Sequence, residues 1–151
     1  MKIKIYYFGK ANEISDWEQT HLQRIGFRCS VETIALSQAG LKDKTLNLEK
    51  EGQALLKKID PQDFLMVLDE RGKNLESVQI AEKFSGAFET HGTICIAIGG
   101  AFGLDPLVLE RANLKISFGK AVWTRNLVRL MLLEQVYRAL EINAGSNFHK
   151  V

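Results

Sequence analysis

Three apolar runs of this 151-residue chain stop at residues able to hold a small molecule: Val67-Leu68-Asp69, Ile98-Gly99-Gly100 and Phe118-Gly119-Lys120. Two of these ends carry glycines, which let backbone N–H and C=O groups come close to a ligand, and Leu68 supplies an apolar wall. Such a pocket suits a molecule with an aromatic ring and a polar tail, held largely by main chain. The segment Gly99-Gly100-Ala101-Phe102-Gly103 reads equally well as a plain strand-to-helix turn, and at this level both readings stand. Further along, Arg125, Arg129 and the tail Asn147-Phe148-His149-Lys150 could hold phosphates and reach a base edge. For His149, an exposed tail histidine is the alternative.

Several familiar chemistries do not fit the spacing. The glycine loop is G-G-x-x-G, not G-x-G-x-x-G, it follows a late strand, and the next strand ends without an acid for a ribose. No G-x-x-x-x-G-K-[ST] phosphate loop is present. The histidines at 21, 91 and 149 lack ligand spacing, so no metal is expected. No G-x-S-x-G elbow or Cys/His pair suggests a covalent nucleophile.

The totals bound the answer. Apolar residues make up 46% and charged residues 25%, ordinary for a globular protein, and the length suits one domain over residues 1–151. The longest uncharged runs are too short to cross a bilayer, and Lys2 and Lys4 are not followed by a signal-peptide core, so no membrane partner and a cytoplasmic location are expected. Cys29 and Cys95 are far apart and read as buried thiols in a reducing compartment. The net charge is +2, but residues 110–151 hold seven Lys/Arg against three Glu, leaving −2 for the preceding 109. A basic C-terminal third suits a polyanion-facing surface, or simply a set of solvated helix charges.

The elements that must position these residues follow in order. Lys2–Phe8 reads as a strand, and Ser15-Asp16-Trp17-Glu18 as a capping box opening a helix with Trp17, Leu22 and Ile25 inward and Gly26 at its end. Cys29–Leu36 reads as a strand, Ser37–Thr45 as an exposed loop, and Leu46–Ile59 as a helix with Leu48, Leu55, Leu56 and Ile59 inward. Phe64–Leu68 is a doubly covered strand ending in a charged turn, Asp69–Asn74, and Ser77 caps a helix to about Glu89. The uncharged stretch Thr93–Leu104 holds a strand buried on both faces and the glycine loop; Asp105-Pro106 starts a helix to about Asn113. Leu114–Phe118 is a brief strand, and Thr124 or Asn126 starts the last helix, to about Asn143. This alternation predicts an α/β fold with a mostly parallel sheet flanked by helices.

In that last helix ten of the fourteen residues from Leu127 to Leu140 are apolar, enough for two sides. Either it is buried all round, or its second side packs on another copy of the chain. A domain of this size has little room for the first, which favours a homodimer.

Taken together, Ile98-Gly99-Gly100-Ala101-Phe102-Gly103, the helix segments Leu127-Val128-Arg129-Leu130 and Leu133-Glu134-Gln135-Val136-Tyr137-Arg138-Ala139, and the ending Phe148-His149-Lys150 resemble the bacterial ribosomal RNA large-subunit methyltransferase H family of the SPOUT superfamily. The likeness covers essentially the whole chain and is strongest from Ile94 onward. It implies an enzyme that transfers methyl from S-adenosylmethionine to N3 of a pseudouridine in 23S rRNA, and a SPOUT-type fold whose C-terminal part threads a trefoil knot. It implies a homodimer built on the C-terminal helix and assembled ribosomes as partner. Carried over by position, the methyl donor contacts Leu68, Gly100 and the run Gly119, Lys120, Ala121, Val122, Trp123, Thr124. RNA-facing positions are Arg125, Arg129, Phe148, His149 and Lys150. Phe148 stands where the family commonly has Tyr, so a stacking role remains and a phenolic hydroxyl does not.

A sulfonium methyl is already electrophilic, so catalysis consists of placing N3 in line with it and favouring the deprotonated imide. His149, with Arg129 or Lys150 as nearby cation, is the candidate for that second task. Two other readings stay open: a non-catalytic ribosome- or RNA-binding factor, and a SPOUT methyltransferase acting on another RNA such as tRNA.

Overall fold

A computed structural model describes residues 1–150; Val151, the last residue of the expected 1–151 domain, lies outside them. Five strands, β1 (Lys2–Phe8), β2 (Ser30–Leu36), β3 (Phe64–Asn74), β4 (Thr93–Ile98) and β5 (Leu114–Ser117), form one sheet in the order β2-β1-β4-β3-β5. Every pairing is parallel. Five α-helices connect and cover it: α1 (Asp16–Gly26), α2 (Lys44–Leu56), α3 (Ser77–His91), α4 (Pro106–Arg111) and α5 (Arg125–Asn143).

The strands are apolar on successive residues because both faces are covered, and side chains alternate between them. Ile3, Ile5, Tyr7, Met66, Ile94, Ile96 and Ile98 pack with Ile25 of α1, Phe84 of α3 and Leu132 and Val136 of α5. Their neighbours in sequence, Tyr6, Phe8, Leu65, Val67, Cys95 and Ala97, pack on the opposite side with Leu55 of α2 and Val108 of α4. Both cysteines are free and buried.

The capping box at Ser15 forms as the sequence indicates: the Glu18 amide donates to Ser15 Oγ and the Ser15 amide to Glu18 Oε2, at 3.3 and 2.8 Å. Trp17 does not turn inward but stays 71% exposed, because the inner side of α1 is taken by Glu18 and Ile25. Asp43 caps α2 earlier than the apolar spacing suggests, Leu46 is exposed, and Glu76 rather than Ser77 precedes α3. The loop after β2 is pinned by two buried side chains of α2: the Ala39 amide donates to Glu51 and the Leu41 amide to Asn47.

The largest departure is at Asp69–Asn74, which is no terminal turn. Arg71 folds back on Asp69 through three hydrogen bonds of 2.8–2.9 Å. Those hydrogen bonds, most of all the two from the Arg71 side chain, hold the Asp69 carboxyl below the usual range despite its partial burial. The pairing with β5 jumps from Leu68↔Ile116 to Lys73↔Ile116, so residues 69–72 are bulged out and β3 resumes beyond them.

α5 buries one stripe, Arg129, Leu132, Leu133, Val136, Ala139 and Leu140, at helical three- and four-residue spacing. Its other apolar side is only partly covered: Leu127 is 47% exposed, Leu130 and Met131 are half-buried, and Tyr137 is half-buried against Phe148. Burial all round is thereby excluded for the single chain.

One charged residue lies wholly inside. Arg129 is 0% exposed; its guanidinium pairs with the buried Glu18 carboxylate, donates to the Glu13 carbonyl at 2.8 Å and lies 4.4 Å from the centre of the Tyr7 ring. Burial pushes the Glu18 carboxyl up, but hydrogen bonds from Arg129 and Ser15 and the Arg129 charge outweigh it, leaving the group below its ordinary value of 4.5. A carboxyl depressed on folding gives stability that is complete above its unfolded value and is lost as pH falls through the lower folded one. In urea titrations the stability advantage of the wild type over Glu18→Gln should therefore shrink as the pH is lowered below the ordinary carboxyl value of 4.5. An advantage unchanged over that range would mean the carboxylate charge contributes nothing.

Candidate functional site

At the carboxyl ends of the strands a cleft of about 160 Å³ opens between β3, β5 and the loop leading into α5. Its walls include Leu68 and Ile116 from the strand ends, Gly119, Ala121, Val122 and Trp123 from the loop, and Val128 from the first turn of α5. Gly119 has φ +100°, a left-handed conformation that lets the chain turn sharply off β5, and Ser117 Oγ donates to its carbonyl at 2.7 Å. Val122 is 85% exposed and Trp123 is partly so: the cleft is rimmed by apolar side chains that a single chain leaves in water.

Five of the eight expected donor-binding residues, Leu68, Gly119, Ala121, Val122 and Trp123, thus line one cleft. Lys120 and Thr124 are exposed members of the same loop, outside the lining, and Thr124 occupies the N-cap position of α5. Gly100 lies one strand over. The ladder between β3 and β4 ends at Leu68↔Ile98, and Gly99 and Gly100 follow as the turn after β4, outside the cleft lining. The turn reading is right for Gly99: a Cβ there would lie 2.6 Å from the backbone of Gly103, whose amide donates to Gly100 O at 3.1 Å.

The expected RNA-facing residues divide. Arg129 is a correction: it is sealed between α1, α5 and Tyr7, so in this chain it is an internal tie and presents no cation to a substrate. Arg125 is half-buried and bonded to Glu13 Oε2 at 3.2 Å. The tail, by contrast, folds onto the far end of α5. Phe148 packs edge-on against Tyr137, ring centres 4.8 Å apart, and Arg138 lies 4.9 Å from the Phe148 ring centre. Arg138 Nη1 sits 3.2 Å from His149 Nδ1, and Glu134 one turn away pairs with the same guanidinium. Because arginine can only donate, His149 Nδ1 accepts in this contact, which leaves the ring proton on Nε2. The free edge of His149 is an N–H donor. Lys150 is exposed beside it.

Arg138 is the cation that reading the sequence as a list of sites passed over. Its signal was its place on α5 next to Tyr137, within reach of a tail that turns back. Spacing alone does not reveal that turn.

A wholly parallel sheet with an apolar, glycine-cornered cleft at its strand ends defines a small-molecule-binding α/β protein, the ligand seated at the carboxyl ends. The chain belongs to the SPOUT methyltransferase family, and is an enzyme of that class: residues 1–149 match the family described as predicted SPOUT methyltransferase. It is 40% identical to the ribosomal RNA large subunit methyltransferase H of Desulfotalea psychrophila, over 99% of this chain and 100% of that protein. It is 36% identical to the protein of the same name from Streptococcus pyogenes serotype M12, over 99% of this chain and 100% of that one. No helix among the described residues is long and apolar enough to cross a membrane.

Proposed function

We propose that this enzyme transfers a methyl group from S-adenosylmethionine to N3 of a pseudouridine in 23S rRNA, as a cytoplasmic homodimer acting on the assembled ribosome. The observation that carries the reading is the cleft itself: an apolar slot beside two glycine turns, bounded by five of the residues expected to touch the donor. An adenine ring fits between Leu68, Ile116 and Val128, and the main chain at Gly119 offers polar groups to the rest of the molecule. The names of the relatives supply the rRNA substrate. In this reading the C-terminal part threads the family's knot.

The bound donor supplies a methyl that is already electrophilic. Leu68 walls the donor on the sheet side, and Val122 and Trp123 keep water from it once a second chain covers them. The tail does the rest: the His149 Nε2–H and the Arg138 charge behind it stabilise the imide anion once N3 has given its proton to bulk water, and Phe148 offers a face for stacking.

These two parts stand apart within one chain. Val128 in the cleft and Arg138 beside His149 are ten residues apart on α5, about 15 Å along the axis, whereas reacting atoms must come within about 3–3.5 Å. A second chain resolves this. With the uncovered side of α5 packed on its counterpart, one protomer's tail reaches its partner's cleft, and the exposed Val122, Trp123 and Leu127 gain cover. Sparse surface cations favour a structured ribosomal surface over free RNA, which so few charges would hold weakly.

Titration calorimetry with S-adenosylhomocysteine tests the donor site; no binding near micromolar concentrations would sink the methyl-transfer reading. Mass spectrometry of rRNA from a deletion strain then identifies the target, and a mark missing from tRNA instead would reassign it. His149→Ala should slow single-turnover methylation by roughly 10²–10⁴-fold, the usual range for a lost proton-transfer or charge-stabilising partner, while donor affinity stays unchanged. Undiminished turnover removes His149 from the mechanism.

A further inference from the structure

Glu51 is a buried charge with half its bonding capacity unspent. It sits in the middle of α2, 5% exposed, and Oε1 accepts the Ala39 amide at 3.0 Å. Oε2 has no hydrogen-bond partner, and no ion pair among the described residues includes this carboxylate. Native proteins rarely leave such an atom unmatched, because an ionised oxygen withdrawn from water without a donor is costly. Pinning the 37–41 loop does not account for the charge, since one neutral amide oxygen would accept the Ala39 N–H as well.

The unmatched oxygen lies over the glycine loop. A Cβ at Gly100 would stand 2.8 Å from Glu51 Oε2, so the missing side chain is what lets the carboxylate face the loop. Gly100 is placed by two registers: it lies two residues beyond Ile98, which pairs with Tyr7 on one side and Leu68 on the other. Glu51 therefore reaches Gly100, itself an expected donor-contacting position, from the α2 face; the cleft walled by Leu68, Ile116 and Val128 opens on the other face of the sheet, so a donor touching both would cross the carboxyl ends of β3 and β4.

We propose that Glu51 is a methyl-donor-binding residue whose free Oε2 accepts a hydrogen bond from an O–H or N–H of that molecule. The partner is either a ribose hydroxyl or the ammonium of its methionine portion. This rests on the methyl-transfer reading above and adds to it a residue from outside the strand-end loops. The donor brings what the folded chain lacks, a hydrogen-bond donor for a carboxylate oxygen already in place.

Glu51→Gln separates the two oxygens: it keeps an acceptor for Ala39 and turns an NH₂ group toward Gly100. Calorimetry on the full-length dimer should show S-adenosylhomocysteine binding weakened about ten- to hundredfold, the usual worth of a hydrogen bond to a charged group, with the melting temperature unchanged or raised. A purely structural glutamate would instead show a lowered melting temperature and unaltered binding. Glu51→Asp, which keeps the charge but withdraws the oxygen, should weaken binding too and decides the matter if the glutamine variant folds poorly. With 5′-methylthioadenosine, which lacks the amino-acid portion, a persisting penalty assigns the contact to the ribose and a vanished one to the ammonium. Wild-type binding matched by both variants overturns the proposal while leaving the methyl-transfer reading intact. Absence of wild-type binding overturns both.

Discussion

Replacing Arg129 with alanine is expected to cost about 3–5 kcal/mol of folding stability and to lower the melting temperature by on the order of 10 °C. The reason is the partner left behind. Glu18 is 1% exposed, and without the guanidinium its carboxylate keeps only the Ser15 end of the capping box. Removing one member of a buried pair strands the other, whereas removing both is often tolerated. The double substitution Glu18→Leu with Arg129→Met should accordingly recover most of the loss, and thermal denaturation of the two single variants and the double checks it. Equal losses for single and double variants would show that the pair contributes by packing alone. The result matters for function because Arg129 lies in the helix segment that carries the family resemblance. Activity lost in Arg129→Ala is expected to follow unfolding, with α1 released from α5, and not the removal of a cation from substrate.

Blocking the cleft should have the second large effect. Ala121 lines the slot but is itself exposed, so Ala121→Trp puts an indole ring at a space of about 160 Å³ without demanding room in the core. S-adenosylhomocysteine binding should fall by at least about a hundredfold, roughly 3 kcal/mol, while the unfolding midpoint stays near the wild-type value. Calorimetry together with a melting curve distinguishes a filled cleft from a damaged fold. Retained affinity in a stable variant would move the donor away from this loop.

Much of the scaffold was legible because local chemistry and global fold agree. Uncharged Thr93–Ile98 announced a strand covered on both faces, Asp105-Pro106 a helix start, and Ser15 with Glu18 a capping box; each is a short-range signal. The double-sided α5 was also visible, since too many leucines for one stripe is a matter of counting. What stayed hidden depends on residues distant in sequence. Glu18 reads as a surface cap until Arg129, 111 residues away, is found against it. Trp17 reads as core until Glu18 is found to take the inward position. Asp69–Asn74 reads as a turn because the bulge that lets β3 resume is set by Arg71 folding onto Asp69 and by pairing with β5.

The candidate site divides in the same way. Strand ends with glycines pointed to a small-molecule crevice, and the family resemblance supplied the identity of its ligand. Residue spacing could not say that Gly100 faces a carboxylate from α2, or that His149 is held by Arg138, ten residues along α5 from the cleft residue Val128. Those facts come from the fold, and the second is what motivates the proposed two-chain site.

Mixed dimers test that claim most directly. Ala121→Trp chains lack a working cleft and His149→Ala chains a working tail, so each homodimer should be nearly inactive. In a purified dimer of one chain of each kind, the intact cleft of the His149→Ala chain faces the intact tail of its Ala121→Trp partner. The other pairing has both parts disabled. One site in two should work, giving about half the wild-type single-turnover amplitude per dimer. A mixed dimer as inactive as its parents would place cleft and tail in the same chain and contradict the account.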